Sequence, residues 1–374
     1  MTPLEAIVGL LNSPATTAAG WGALTSFVLC ILLVITKRWH GKLSLDETSG
    51  IQKFHINPTP RIGGIPIVLG LVLALKLAPL DVQKILEPLL LASLPAFVLG
   101  LAEDTTKRIS VMVRLLATMA SGVLAWLLTD ISLTRLDIWG IDWVMNITLV
   151  SVLFTAFAVG GVANSINIID GFNGLASLTS GLAFVGYGLI AWQVGDNTLA
   201  QVSMVLAACV WGFFWVNWPL GKIFLGDGGA YFIGFAMGWM AVLLIERNPG
   251  VSAFAALVIC AHPVTEVLLS IYRRKVRKTD PGMPDKLHFH SLVKRRYVSR
   301  WFRYLPRTLR NSITGAIVGL MTLTAVVLVN FTYASTLLSA AAYVALALGY
   351  VAIYARMVRH RWCSPVRFLL VKAP

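Results

Sequence analysis

Apolar residues recur along this chain in runs of about twenty, separated by short polar connections, from one end of the sequence to the other. Helices of that length cross the ~30 Å hydrocarbon core of a bilayer. Eleven such spans are predicted, near residues 17–36, 62–80, 86–102, 111–129, 147–166, 175–193, 199–219, 229–245, 251–271, 311–331 and 334–355. No long polar linker or low-complexity tract interrupts them, so residues 1–374 read as a single domain of the all-α polytopic membrane class. The first run is expected to stay as an anchor. Residues 1–16 lack a basic segment, and Lys37 and Arg38 follow the run where a small-residue cleavage site would stand.

Composition agrees with this pattern and excludes a water-facing globule. Hydrophobic residues make up 57% of the chain and charged residues 13%, against roughly 25% charged in soluble domains. Cys30, Cys209 and Cys260 lie inside apolar runs and Cys363 in the tail, a spacing that favours packing over disulfides or zinc.

Charge sets the orientation. With the N-terminus outside and the C-terminus cytoplasmic, all of the 31 Lys and Arg residues except Lys76, Lys84, Arg135 and Arg247 fall on the inner side, as the positive-inside rule demands. Thirteen of them crowd a cytoplasmic loop at 273–310, whose acidic residues are Asp280 and Asp285. Within it Val293, Tyr297, Trp301 and Leu305 recur every four residues among cations, which predicts a helix in the headgroup plane. The net charge of +14 is thereby assigned to contact with anionic lipid, at about 1 kcal/mol per basic residue near the surface. No nucleic-acid partner is expected.

On this topology, five connections deliver unusual polar groups to one face. They are His55-Ile-Asn-Pro-Thr-Pro-Arg61-Ile-Gly-Gly, Glu103-Asp104-Thr-Thr-Lys107, Asn164-Ser-Ile-Asn167-Ile-Ile-Asp170-Gly-Phe-Asn173-Gly-Leu, Phe224-Leu-Gly-Asp227-Gly-Gly and Lys286-Leu-His288-Phe-His290. Carboxylates, amides and cations are costly at the membrane and gather there for function. Glu103, Asp104, Asp170 and Asp227 suit a hard cation such as Mg2+, which takes one or two carboxylates and fills its other positions with water and phosphate oxygens. Arg61, Lys107, Lys286, His288 and His290 supply the positive charge that a pyrophosphate requires. Neither the Walker A pattern nor the dinucleotide fingerprint is present.

Taken in order, these five motifs resemble the polyprenyl-phosphate N-acetylhexosamine-1-phosphate transferases, glycosyltransferase family 4, over residues 37–300. Within that group the chain is more similar to the undecaprenyl-phosphate GlcNAc-1-phosphate transferases than to phospho-MurNAc-pentapeptide translocase. The resemblance implies transfer of an N-acetylhexosamine 1-phosphate from a UDP-sugar to undecaprenyl phosphate, with release of UMP. The setting would be the bacterial inner membrane, with the active site facing the cytoplasm, at the start of O-antigen-type envelope glycan synthesis. It further implies Mg2+, with Mn2+ as a substitute, held by Asp227. Glu103, Asp104, Asp170 and His290 would act in catalysis, and Arg61, Lys107, Asn164, Asn167, Asn173, Lys286 and His288 would bind substrates. The acidic pair begins with Glu103 where the family has Asp, and the usual three-histidine loop is reduced to His288-Phe-His290.

A transporter or flippase for a lipid-linked or anionic sugar is the alternative. It would place its polar groups near the bilayer midplane on broken helices, and the spans carry no inward column of charge. His262 and Glu266, four apart on one helical face, could reach the site from its cytoplasmic end, but read first as a local hydrogen-bonded pair between helices. Trp211, Phe213, Phe214, Trp215 and Trp218 could grip a prenyl chain, but read first as an aromatic belt.

Overall fold

The computed structural model describes residues 13–46, 58–277 and 287–359. Helices form nearly all of it, as a chain in hydrocarbon must satisfy its own backbone groups. In chain order α1 (Thr16–Ile35) leads to α2 (Lys37–Ser44), then α3 (Gly64–Leu77), α4 (Leu80–Ala92), α5 (Leu94–Thr106) and α6 (Val111–Thr129). The short α7 (Ile141–Met145) precedes four long helices, α8 (Thr148–Ile169), α9 (Leu175–Gln193), α10 (Asn197–Asn217) and α11 (Gly226–Arg247). The remainder is α12 (Ala253–Ile259), α13 (Ala261–Arg277), α14 (Phe289–Val293), α15 (Ser299–Trp301), α16 (Arg307–Gly319), α17 (Met321–Thr332) and α18 (Thr336–Val358).

Each of the eleven predicted runs lands on helix, but not each is a straight span. Among the described residues eight helices are long and apolar enough to cross a membrane, with α16 and α17 counted as one. Two bent pairs, α4–α5 at 45° and α12–α13 at 80°, raise the number to ten. Proline explains both bends. Pro95 opens α5 and Pro263 lies in the first turn of α13, and each lacks the N–H that would continue the preceding helix. The 14-residue α3 is shorter, about 21 Å at 1.5 Å per residue.

The centre of the bundle is α11, buried along most of its length between α5 and α8. Its Gly- and Ala-rich first half lets those neighbours approach closely, which is how apolar helices gain packing energy without a hydrophobic driving force between them. Around it, α10 packs on α1 and α9, and the C-terminal α18 packs on α12 and α13.

The two ends of α11 differ. At its C-terminal end the Arg135 guanidinium donates to the carbonyls of Ile245, Asn248 and Val251, Arg247 pairs with Asp196 at 2.7 Å, and Asp137 accepts the Ala253 N–H at 2.7 Å. These bonds close helix ends. The other end, about 30 Å away along a 22-residue helix, collects the described parts of the five motifs; residues 55–57 lie outside the described residues.

Two expectations change. Phe213 and Phe214 are buried, and Phe214 stacks on Trp218 at 5.4 Å while meeting Trp211 and Trp215 edge-on, so the aromatic run is an interior cluster from which Trp215 alone projects. The amphipathic stretch after the histidines is helical from Phe289 to Trp301, with a π-turn over Lys294–Val298. Lys294 and Val298 are buried against the bundle, so the segment is a packed element as much as a surface one.

Candidate active site

The site starts where β-like backbone from one motif meets the helix start of another. Phe224 N–H donates to Pro60 O at 2.8 Å, Gly63 N–H to Phe224 O at 2.9 Å and Gly64 N–H to Leu225 O at 3.0 Å. This lacing carries Arg61 over the first turn of α11. Gly226 is required there: its φ is +78°, and a Cβ would lie 2.3 Å from Arg61 O and 2.6 Å from Asp104 Oδ2.

Asp104, 4% exposed on α5, accepts the N–H groups of Asp227 and Gly228 at 2.8 and 2.9 Å, one on each carboxylate oxygen. It serves α11 as a carboxylate cap, where orphan donors and the helix dipole favour negative charge. Arg61 Nε lies 3.2 Å from Asp104 Oδ1, and Arg61 Nη2 donates to Asp227 Oδ1 at 2.5 Å. The other oxygen of Asp227 accepts Arg114 Nη1 at 2.8 Å. Asp227 is therefore clasped by two guanidinium groups from opposite sides.

Arg114 was legible in the sequence only as one more inner-side cation. A stronger signal was available, because a charge in the first turn of an apolar helix demands a partner. Glu103 is its second contact at 3.9 Å, while Glu103 Oε2 accepts Ile109 N–H at 2.7 Å and closes the turn between α5 and α6. Lys107 caps α5 with φ +54° and is exposed beside the acidic pair.

Asp170 ends α8. It lies within electrostatic reach of Arg61 and Asp227; burial pushes its carboxyl up to about 7, Arg61 opposes this and Asp227 adds to it. The three asparagines of that motif are engaged within the protein. Asn167 Nδ2 donates to Tyr231 Oη at 2.9 Å, one turn beyond Asp227. Asn164 Nδ2 bonds Gly160 O at 2.8 Å and Thr118 Oγ1 at 3.1 Å, deeper in the bundle. Asn173, 6% exposed, donates to Ser312 Oγ at 3.0 Å and ties the loop to α16.

The histidine segment packs on Gly171 and Phe172, the residues that follow Asp170. His290 is 4% exposed and packs edge-on against Phe172 at 5.3 Å; its ring also lies against the Gly171 backbone. His288 stacks on His290 at 5.3 Å. Burial, with His288 adding to it, holds His290 down to about 3 in spite of Glu266, so the ring is neutral at physiological pH. Lys286 lies outside the described residues. Glu266, expected to pair with His262, instead accepts His288 Nδ1–H at 2.8 Å. The spacing does not pair the two with each other; Glu266 instead reaches the site through a partner on another element.

Among the described residues no three His, Cys, Asp or Glu side chains converge tightly enough to cage a metal by themselves. The donor set fits Mg2+ in the other manner open to that ion. Four carboxylates, Glu103, Asp104, Asp170 and Asp227, face two arginines, which leaves negative charge for a hard cation completed by water and phosphate oxygens.

The sequence profile of glycosyl transferase family 4 matches residues 87–245. The chain is 29% identical to the undecaprenyl-phosphate α-N-acetylglucosaminyl 1-phosphate transferase of Salmonella typhi over 71% of its length and 73% of the relative's. It is 28% identical to the protein of that name in Escherichia coli strain K12, with the same coverage. To the probable undecaprenyl-phosphate N-acetylglucosaminyl 1-phosphate transferase of Bacillus subtilis strain 168 it is 25% identical over 70% of the chain and 74% of the relative. Residues 87–245, which match the glycosyl transferase family 4 profile, hold Glu103, Asp104, Arg114, Asp170 and Asp227.

Proposed function

We propose that this protein transfers an N-acetylhexosamine 1-phosphate from a UDP-sugar, UDP-GlcNAc or a close relative, to undecaprenyl phosphate and releases UMP. The observation that carries the reading is the clasp of Asp227 between Arg61 and Arg114 on a helix start capped by Asp104, at one end of a membrane bundle. The names of the relatives supply the acceptor and the sugar. A flippase would need polar groups at mid-depth, whereas the charged residues of α11 sit at its two ends.

In the reaction a phosphate oxygen of the lipid attacks the β-phosphorus of the UDP-sugar. The bond from that phosphorus to the bridging oxygen breaks, and UMP leaves with the electron pair. Arg61 and Arg114 hold the phosphates in line and offset the charge that develops on them. Lys107, exposed beside the acidic pair, attracts the anionic substrates. His288 and His290 contact the diphosphate, with His290 donating as a neutral ring, and Asn167 and Asp170 border the nucleotide side. Mg2+, with Mn2+ as substitute, would be held by Asp227 with Asp170 near it, and it would neutralise the pyrophosphate. An acceptor phosphate is already a nucleophile once repulsion is screened, so no covalent enzyme intermediate is needed.

The site faces the cytoplasm of the bacterial inner membrane in this reading, with the N-terminus outside and the C-terminus inside, and the product starts an O-antigen-type envelope glycan. Purified protein incubated with undecaprenyl phosphate and a panel of UDP-sugars should release UMP in step with a lipid-linked sugar phosphate. Failure of every UDP-sugar to yield UMP would sink the proposal.

A further inference from the structure

The matched family region ends at residue 245, yet a carboxylate beyond it controls the histidine segment. Glu266 on α13 is 0% exposed. An ion so placed is kept only with several donors around it, and Glu266 has four. Oε1 accepts from His288 Nδ1 at 2.8 Å and lies 3.4 Å from Arg273 Nη2. Oε2 accepts the Phe289 N–H at 3.3 Å and the Tyr350 hydroxyl, which reaches it from α18.

These bonds are directed. Two hold the histidine segment, one through a side chain and one through the backbone, so Glu266 fixes both where the segment sits and how His288 is turned. A carboxylate on Nδ1 places a proton there and leaves Nε2 facing away, which is how outer carboxylates set the tautomer of a working histidine. The order is carried further by packing. His288 lies parallel to His290 at 15°, and His290 Nε2 would stand 2.9 Å from a Cβ placed on Gly171, the residue after Asp170. Phe289 stacks on Tyr350 at 4.4 Å, so α18 holds the segment directly as well as through Glu266. His262, with its ring 5.9 Å from Tyr350 and no partner for Nδ1 among the described residues, faces this group from α13 without bonding to Glu266.

We propose that Glu266 is the positioning residue of the histidine segment, locking His288 with Nε2 directed toward the substrate phosphates, and that Tyr350 of the C-terminal helix locks Glu266 in turn. The role deepens the transferase reading and rests on it.

A double-mutant cycle on UMP release separates this role from mere helix packing. Glu266→Gln keeps the shape and removes the charge, and should lower kcat about 10- to 100-fold. If Glu266 acts through His288, the double variant Glu266→Gln with His288→Ala is no slower than His288→Ala alone; losses that multiply overturn the proposal. Histidine-selective 15N NMR reads the same relation without turnover. His288 should be the Nδ1–H tautomer in the wild type and mixed in Glu266→Gln, and an unchanged tautomer also overturns the proposal. Should Glu266→Gln not fold, Tyr350→Phe keeps the ring on Phe289 and removes only the hydroxyl, with a smaller loss in the same direction. Unaltered turnover in that variant overturns the role of the last helix. A wild type that releases no UMP defeats the transferase reading itself, whereas an active wild type with multiplying losses defeats only the lock.

Discussion

Asp104 and Asp227 are joined through the backbone: the carboxylate of the first accepts the N–H of the second at 2.8 Å and of Gly228 at 2.9 Å. Two acids of one site therefore have unlike work. Asp104 is spent on holding the helix start that presents Asp227, while Asp227 faces the two arginines.

That division makes Asp104→Asn a structural as well as a functional lesion. An amide nitrogen would meet a backbone N–H, leaving a buried donor unpaired at a cost of about 1–3 kcal/mol. UMP release should fall at least about 100-fold, together with a lower thermal midpoint in detergent. Glu103→Asp should be mild by comparison, since Glu103 is partly exposed and closes a surface turn. Equal loss in the two variants would contradict the assignment.

Asp227→Asn keeps volume and removes the charge that both guanidinium groups and a cation need. Turnover should collapse and recover only in part at high Mg2+. Wild-type activity in this variant would remove Asp227 from the metal and phosphate site.

Arg114→Lys tests whether the fork or only the charge is used. A lysine restores the cation but not two directed donors toward Asp227 and the phosphates. Kinetics with varied undecaprenyl phosphate should show at least about a tenfold loss in kcat/KM, and complete rescue by lysine would reduce Arg114 to a counter-charge.

At the opposite end, Asp137 gives a pH signature. Burial raises its carboxyl pKa, but the Ala253 N–H, Ser252 and Arg135 more than offset this and hold it below the usual value of 3.8. Its folded-state pKa being depressed, the stability it adds is present above the unfolded value and is lost as pH falls through the folded one. Asp137→Asn should therefore unfold at lower temperature than wild type at pH 7, and the gap should narrow below about pH 4. A gap independent of pH would show that packing, not charge, is responsible.

The sequence by itself determined the membrane class, the positions of the helices and the motifs that meet at one end, because hydrocarbon permits long apolar helices and penalises stray charge. Eleven runs were readable from apolar length, and Asp170, Asp227 and the histidines from charge out of place. Tertiary structure decided the rest. Whether a run is one straight span or a bent pair depended on Pro95 and Pro263 against their neighbours. The partners of Asp227 and Glu266 come from elements far apart in the chain, Arg61, Arg114, His288 and Tyr350. No local spacing encodes such pairs. They exist because buried charge must find its complement wherever packing brings one near.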